Sequence, residues 1–140
     1  VKLELEEVRK KLEKALKARN KEKVVKSFVK WLLSNVITSE NIVEAIQNNR
    51  DLAELLRENC YLENDVIKPL AKMLMRVYWP EIEDVICNVQ KIYELLLKIA
   101  PQHSNIISSE KGINYLNEQC AKLYDYLYSY TWSEASSEGE

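Results

Sequence analysis

Three cations, Lys68, Lys72 and Arg76, recur every four residues in a segment whose apolar positions read as helix. That spacing puts them in one row on a helix face, where they could meet the phosphates of a nucleic acid or of a nucleoside triphosphate. Tyr78 and Trp79 stand at the end of the row, and aromatic faces beside cations hold nucleobases by stacking. The same residues also read as a solvated charged face ending in core aromatics. Arg50 and Arg57, seven apart around a short apolar stretch, are further candidates for the same anionic ligand. A second basic series, Lys10, Lys14, Lys17 and Lys21, extended by Lys23, Lys26 and Lys30, could track phosphates. Interleaved Glu4, Glu7 and Glu13 equally suit a merely solubilised helix.

Tyr124, Tyr126, Tyr128, Tyr130 and Trp132 suggest a different chemistry. They alternate like a strand, but the surrounding Leu116, Cys120, Leu123 and Leu127 keep a helical period, and length favours the helix. On a helix the rings spread around the cylinder, so some face solvent or a partner. Tyr124, Tyr128 and Trp132 are the candidates for a partner interface, the alternative being mixed core and exposed packing.

Catalytic constellations are scarce. His103 is the single histidine, without a nucleophile beside it in sequence. Glu81, Glu83 and Asp84 suit the positive start of a helix without invoking metal or glycosidase chemistry. Cys60, Cys87 and Cys120 are odd in number and lack C-x-x-C spacing, so neither a disulfide framework nor a zinc site is expected. With two glycines in the chain, no Gly-rich phosphate loop can be written. No catalytic residue, metal site or cofactor is assigned.

The elements that must position these groups follow from composition. The 140 residues, 46% hydrophobic and 30% charged, suit one domain with a single core, and the shortage of Gly and Pro points to an all-α fold. Net charge is −2, yet residues 1–30 hold eleven Lys/Arg against five acids, a local +6 that leaves −8 elsewhere. The basic end is the candidate for an acidic partner. No apolar signal region or stretch of membrane-spanning length is seen, so a reducing cytoplasm and no membrane are the expectation.

About six helices are expected: a charged N-terminal helix or arm over 1–20, one helical domain over 21–132 and a flexible acidic tail over 133–140. Ser39 with Glu40, Asp51 with Glu54, Asn64 or Asp65, and Ser108 or Ser109 are expected starts; Asn48-Asn49 and Pro101 are expected stops. Ile67, Leu70, Leu74 and Val77 line one side of the cationic helix, and Trp79-Pro80 makes a corner after it. Residues 102–109 read as loop.

Leu52, Leu55 and Leu56, then Leu70 and Leu74, then Trp79, Ile82, Glu83, Val85 and Ile86 form a pattern of short helix, basic-faced helix, aromatic corner and acidic-started helix. This stretch, residues 51–93 and about a third of the chain, resembles the C-terminal domain of archaeal and eukaryotic primase large subunits. The run from Leu74 to Ile86 carries the likeness most closely. That domain holds an iron–sulfur cluster on four cysteines, whereas three occur here and none falls in place, so no cluster is assigned. The chain is more similar to the cluster-less third subunit of some crenarchaeal primases. That resemblance implies a noncatalytic accessory subunit of a DNA-replication primase, with the catalytic and large subunits as partners. It further implies binding of single-stranded template and initiating nucleoside triphosphate through Lys68, Lys72, Arg76, Tyr78 and Trp79. The alternative is a helical interaction subunit of another nucleoprotein assembly, such as a CRISPR effector small subunit, using its Tyr-rich last helix.

Overall fold

The computed structural model describes residues 2–38 and 41–133, with side chains from Leu5 onward. Their regular structure is helical: α1 (Lys2–Lys17), α2 (Lys21–Val36), α3 (Ile42–Gln47), α4 (Leu52–Asn59), α5 (Ile67–Val77), α6 (Trp79–Ile86), α7 (Val89–Ile99), α8 (Ser104–Ile107) and α9 (Glu110–Trp132). Short 3-10 turns occupy Tyr61–Glu63 and Pro101–His103. The fold is all-α as expected, but the described residues hold nine α-helices instead of about six. The excess has a local cause. Asn20 accepts from Lys23 N at 3.1 Å, and Asn88 accepts from Gln90 N and Lys91 N at 3.0 and 3.3 Å. Each asparagine caps a new helix inside what apolar periodicity alone reads as a continuous one. The ninth is α8, a single turn in the segment expected to be loop.

Other boundaries obey their sequence signals. Asp51 accepts from Ala53 N and Glu54 N, Asn64 from Val66 N and Ile67 N, and Ser109 Oγ from Gly112 N. Asn49 takes a left-handed φ of 52°, and the amides of Asn49 and Arg50 return to the carbonyls of Ile46 and Ala45, closing α3. Pro69 lies in the first turn of α5, and Pro80 in that of α6. The start expected at Ser39 and Glu40 lies outside the described residues, as does the acidic tail after Ser133.

The last helix is the axis of the molecule. α9 touches α3, α4, α5, α6, α7 and α8 and buries Leu116, Cys120, Leu123 and Leu127 among them. α2 leans on α4, α6 and α7 through Val25, Phe28, Val29, Leu32 and Leu33. α1 takes a separate support: it lies on α5, with Val8 and Leu12 buried. Its end is fixed by the Tyr78 hydroxyl, which donates to the carbonyls of Ala18 at 3.0 Å and Ala15 at 3.5 Å. α1 is thus a docked helix. On α5 the inward face is Ile67, Ala71, Leu74 and Met75, while Val77, expected inside, is exposed.

Gly112 marks a close approach between α8 and α9. A Cβ there would lie 2.3 Å from the carbonyl oxygen of Ile106 and 2.4 Å from that of Ile107. Helix propensity alone would make alanine more stable by about 1 kcal/mol. The opposing atoms are backbone and cannot rotate away, so the clash decides the sign. Gly112→Ala is expected to destabilise the fold by about 1–3 kcal/mol, measured as a lower urea midpoint at unchanged m value.

Candidate functional site

Burial of Ile67, Ala71, Leu74 and Met75 fixes how α5 is rotated, and with it where the cationic row points. The row points across the end of α9. Lys72 is only 7% exposed; its Nζ donates to the Ser133 carbonyl at 2.6 Å and lies 5.5 Å from the Tyr130 ring centroid. Arg76 Nε donates to the Thr131 carbonyl at 2.9 Å, with its guanidinium 5.5 Å from the Trp132 ring centroid. A helix C-terminus presents unsatisfied carbonyls and the negative end of its dipole, and both are answered here by cations. Lys68 faces Glu63 at 3.6 Å.

The expected phosphate row is accordingly not an open set of three cations. Two of its members hold backbone carbonyls. Tyr78 is buried with its hydroxyl on α1, and Trp79 is buried with its ring 5.9 Å from those of both Tyr124 and Tyr128. Neither ring offers the open face that a stacked base requires. The physical reason is shared: α5 and the residue after it close the ends of two other helices, and ammonium, guanidinium and phenol groups are the donors that do so.

The two outlying arginines separate. Arg57 lies 5.1 Å over the Tyr126 ring, the Tyr126 hydroxyl donates to Glu63 at 3.4 Å, and Glu63 pairs with Lys68. Arg57 and Lys68 therefore share one edge. Arg50 pairs with Glu44 at 3.3 Å, and its carbonyl accepts from the Tyr115 hydroxyl at 2.8 Å. Tyr115 precedes Tyr130 by about 22 Å along α9, so Arg50 is remote from Lys72.

Several polar groups on α9 are tie points to other elements. Tyr130 donates to the Leu62 carbonyl at 2.5 Å, and Gln119 Oε1 accepts from Leu52 N at 2.8 Å, capping α4. Gln119 Nε2 is buried and has no acceptor among the described residues. Burial, with help from nearby negative charge, pushes the phenols of Tyr115, Tyr126 and Tyr130 far above their ordinary value.

What stays open is the outer face of α9 and its border with α5. Tyr124 is half-buried, its hydroxyl 3.3 Å from Glu83, whereas Tyr128 and Trp132 are 47% and 42% exposed. Their rings form a series, Tyr124 to Tyr128 at 5.8 Å and Tyr128 to Trp132 at 6.4 Å. Met73 and Val77, four apart on α5, are also exposed, and Arg76 lies in the same turn with its guanidinium over Trp132. The sequence reading missed Met73 and set Val77, three residues after Leu74, on the inward side. The exposed lysines Lys10, Lys14, Lys17 and Lys21 lie along α1 and the start of α2, with Lys21 4.0 Å from Glu81.

The three thiols are not activated. Burial pushes the Cys120 thiol up to about 11 and raises Cys60; burial, then Glu83 and Asp84, raise Cys87. None favours a thiolate nucleophile. Among the described residues no group of three His, Cys, Asp or Glu side chains could hold a metal, and no helix is long and apolar enough to cross a membrane.

Lys72→Ala is expected to cost about 2–3 kcal/mol in a urea titration, because it removes a charge-assisted bond and a packed stem. Lys68→Ala should change stability by less than about 0.5 kcal/mol. The raised phenols set a pH limit. An unfolded tyrosine ionises near 10 while the folded ones stay protonated, so the unfolded state binds fewer protons and stability falls as pH rises through about 10. Tyr115→Phe/Tyr130→Phe should flatten that alkaline loss in urea midpoints measured across pH. No family model, curated protein or solved structure matches this chain.

Proposed function

We propose that this chain is a noncatalytic interaction subunit that docks on a partner protein through Tyr128, Trp132, Met73 and Val77 around Arg76. The observation that carries the reading is the exposed, ring-to-ring pair Tyr128 and Trp132 backed by the Arg76 guanidinium. Aromatic residues, Met and Arg are the types enriched at the cores of protein interfaces. Trp79 and Tyr124 support Tyr128 from beneath, and Arg76 steadies Trp132, so little side-chain freedom is left to lose on binding.

The primase resemblance supplies the candidate assembly. In it the partners are the catalytic and large primase subunits, and the chain assists primer initiation without performing the chemistry. Lys72 and Arg76 already hold carbonyls, so template contact is not assigned to them.

Titration of the chain with the primase catalytic and large subunits of the same organism, followed by calorimetry, tests both parts. The wild-type chain is expected to bind. Tyr128→Ala/Trp132→Ala should weaken binding by about thirtyfold or more with an unchanged circular dichroism spectrum, whereas Lys68→Ala should bind as wild type. Failure of the wild-type chain to bind would remove primase as the assembly, and equal binding by the double variant would remove this surface.

A further inference from the structure

The chain's basic end contains a groove that the proposed partner surface does not use. α1 rests on α5 and α2 rests on α4, α6 and α7, so two consecutive helices have different supports and leave a cleft of about 600 Å³ between them. The Tyr78 hydroxyl on Ala15 and Ala18 fixes the end of α1, and the Asn20 cap fixes the start of α2; together they set the apex. Val8 and Leu12 from α1 and Val24, Phe28 and Trp31 from α2 contribute apolar surface to the walls. Phe28 and Trp31 support one another, with ring centroids 5.9 Å apart.

The polar lining has one sign. Lys11, Lys14 and Lys23 border the cleft, and among the described residues no acid lines it. All three lysines are exposed, and none forms a salt bridge among the described residues. They belong to the segment with a local charge of +6. An occupant must therefore be apolar along its centre and acidic along its margins.

From Val8 to Ala18 the cleft runs about 15 Å along α1, the length of roughly three helical turns. A helix laid into a groove offers apolar anchors at i, i+3, i+4 and i+7 over that length, with flanking positions for charge. We infer that the α1–α2 groove docks an amphipathic helical segment of a partner protein, carrying acidic residues on both flanks of its apolar stripe. The chain's own acidic stretch after Trp132 is not the occupant, since Ser133 to Glu140 holds one alanine and no larger apolar residue.

The test uses a fluorescent synthetic helix of about 14 residues, Leu at i, i+3, i+4 and i+7 and Glu on both flanks, and a twin with Lys in place of Glu. By anisotropy the full chain is expected to bind the acidic helix in preference to the basic twin, and more weakly as salt rises. The exposed triple change Lys11→Glu/Lys14→Glu/Lys23→Glu should lower that affinity about tenfold or more and transfer preference to the basic twin. Trp31→Ser should weaken both, and Tyr128→Ala/Trp132→Ala should leave binding unchanged, which keeps this site separable from the first. Equal affinity for the two helices, indifference to the triple charge reversal, or a self-associated chain whose dimer excludes the peptide would overturn the inference.

Discussion

The last turn of α9 ends in carbonyl oxygens that call for donors, and Lys72 and Arg76 supply them. Much else follows from that closure. It locks the rotation that burial of Ile67, Ala71, Leu74 and Met75 gives α5, since a helix that delivers two cations to one place cannot turn freely about its axis. With α5 set, Tyr78 reaches the end of α1 and Trp79 turns beneath Tyr124 and Tyr128. The cations gain from the helix dipole as well as from individual bonds, and burial of the Lys72 ammonium strengthens both. Tyr130 serves twice, offering its ring face to Lys72 and its hydroxyl to Leu62.

The charged groups of such a helix end are easily mistaken for a ligand site, because both uses demand the same residues. A phosphate row and a carbonyl cap each need cations at helical spacing beside aromatic rings. Sequence displays the donors but not their acceptors, since every residue carries a carbonyl. Lys72 and Arg76 were therefore visible in the sequence, while their neighbour, the end of α9, lay some sixty residues away and gave no signal. The acceptors were found only when the two helices were seen together.

Local signals fared differently. Asp51, Asn64, Ser109 and the Asn48-Asn49 pair announce helix boundaries because cap and capped amide lie within a few residues. Asn20 and Asn88 use the same chemistry but sit inside unbroken apolar periodicity, so their capping role stays hidden until geometry reveals it. Val77 shows the converse failure: its apolar type fits the inward stripe, yet Ala71 and Met75 fill that side of α5. The α1–α2 groove was illegible for a further reason. It exists because two adjacent helices choose different supports, a tertiary fact that no spacing of Val8, Leu12, Phe28 and Trp31 could state.

An axis that follows the elements it touches also orders the molecule in time. Ribosomal synthesis finishes α3 through α8 before the element that covers their apolar faces exists. At about 5–20 residues per second, the 23 residues of α9 need a further one to five seconds, and the preceding helices pass that interval without their spine. The nascent chain consequently shows more greasy surface until α9 emerges, and compaction of α3 through α8 waits for it.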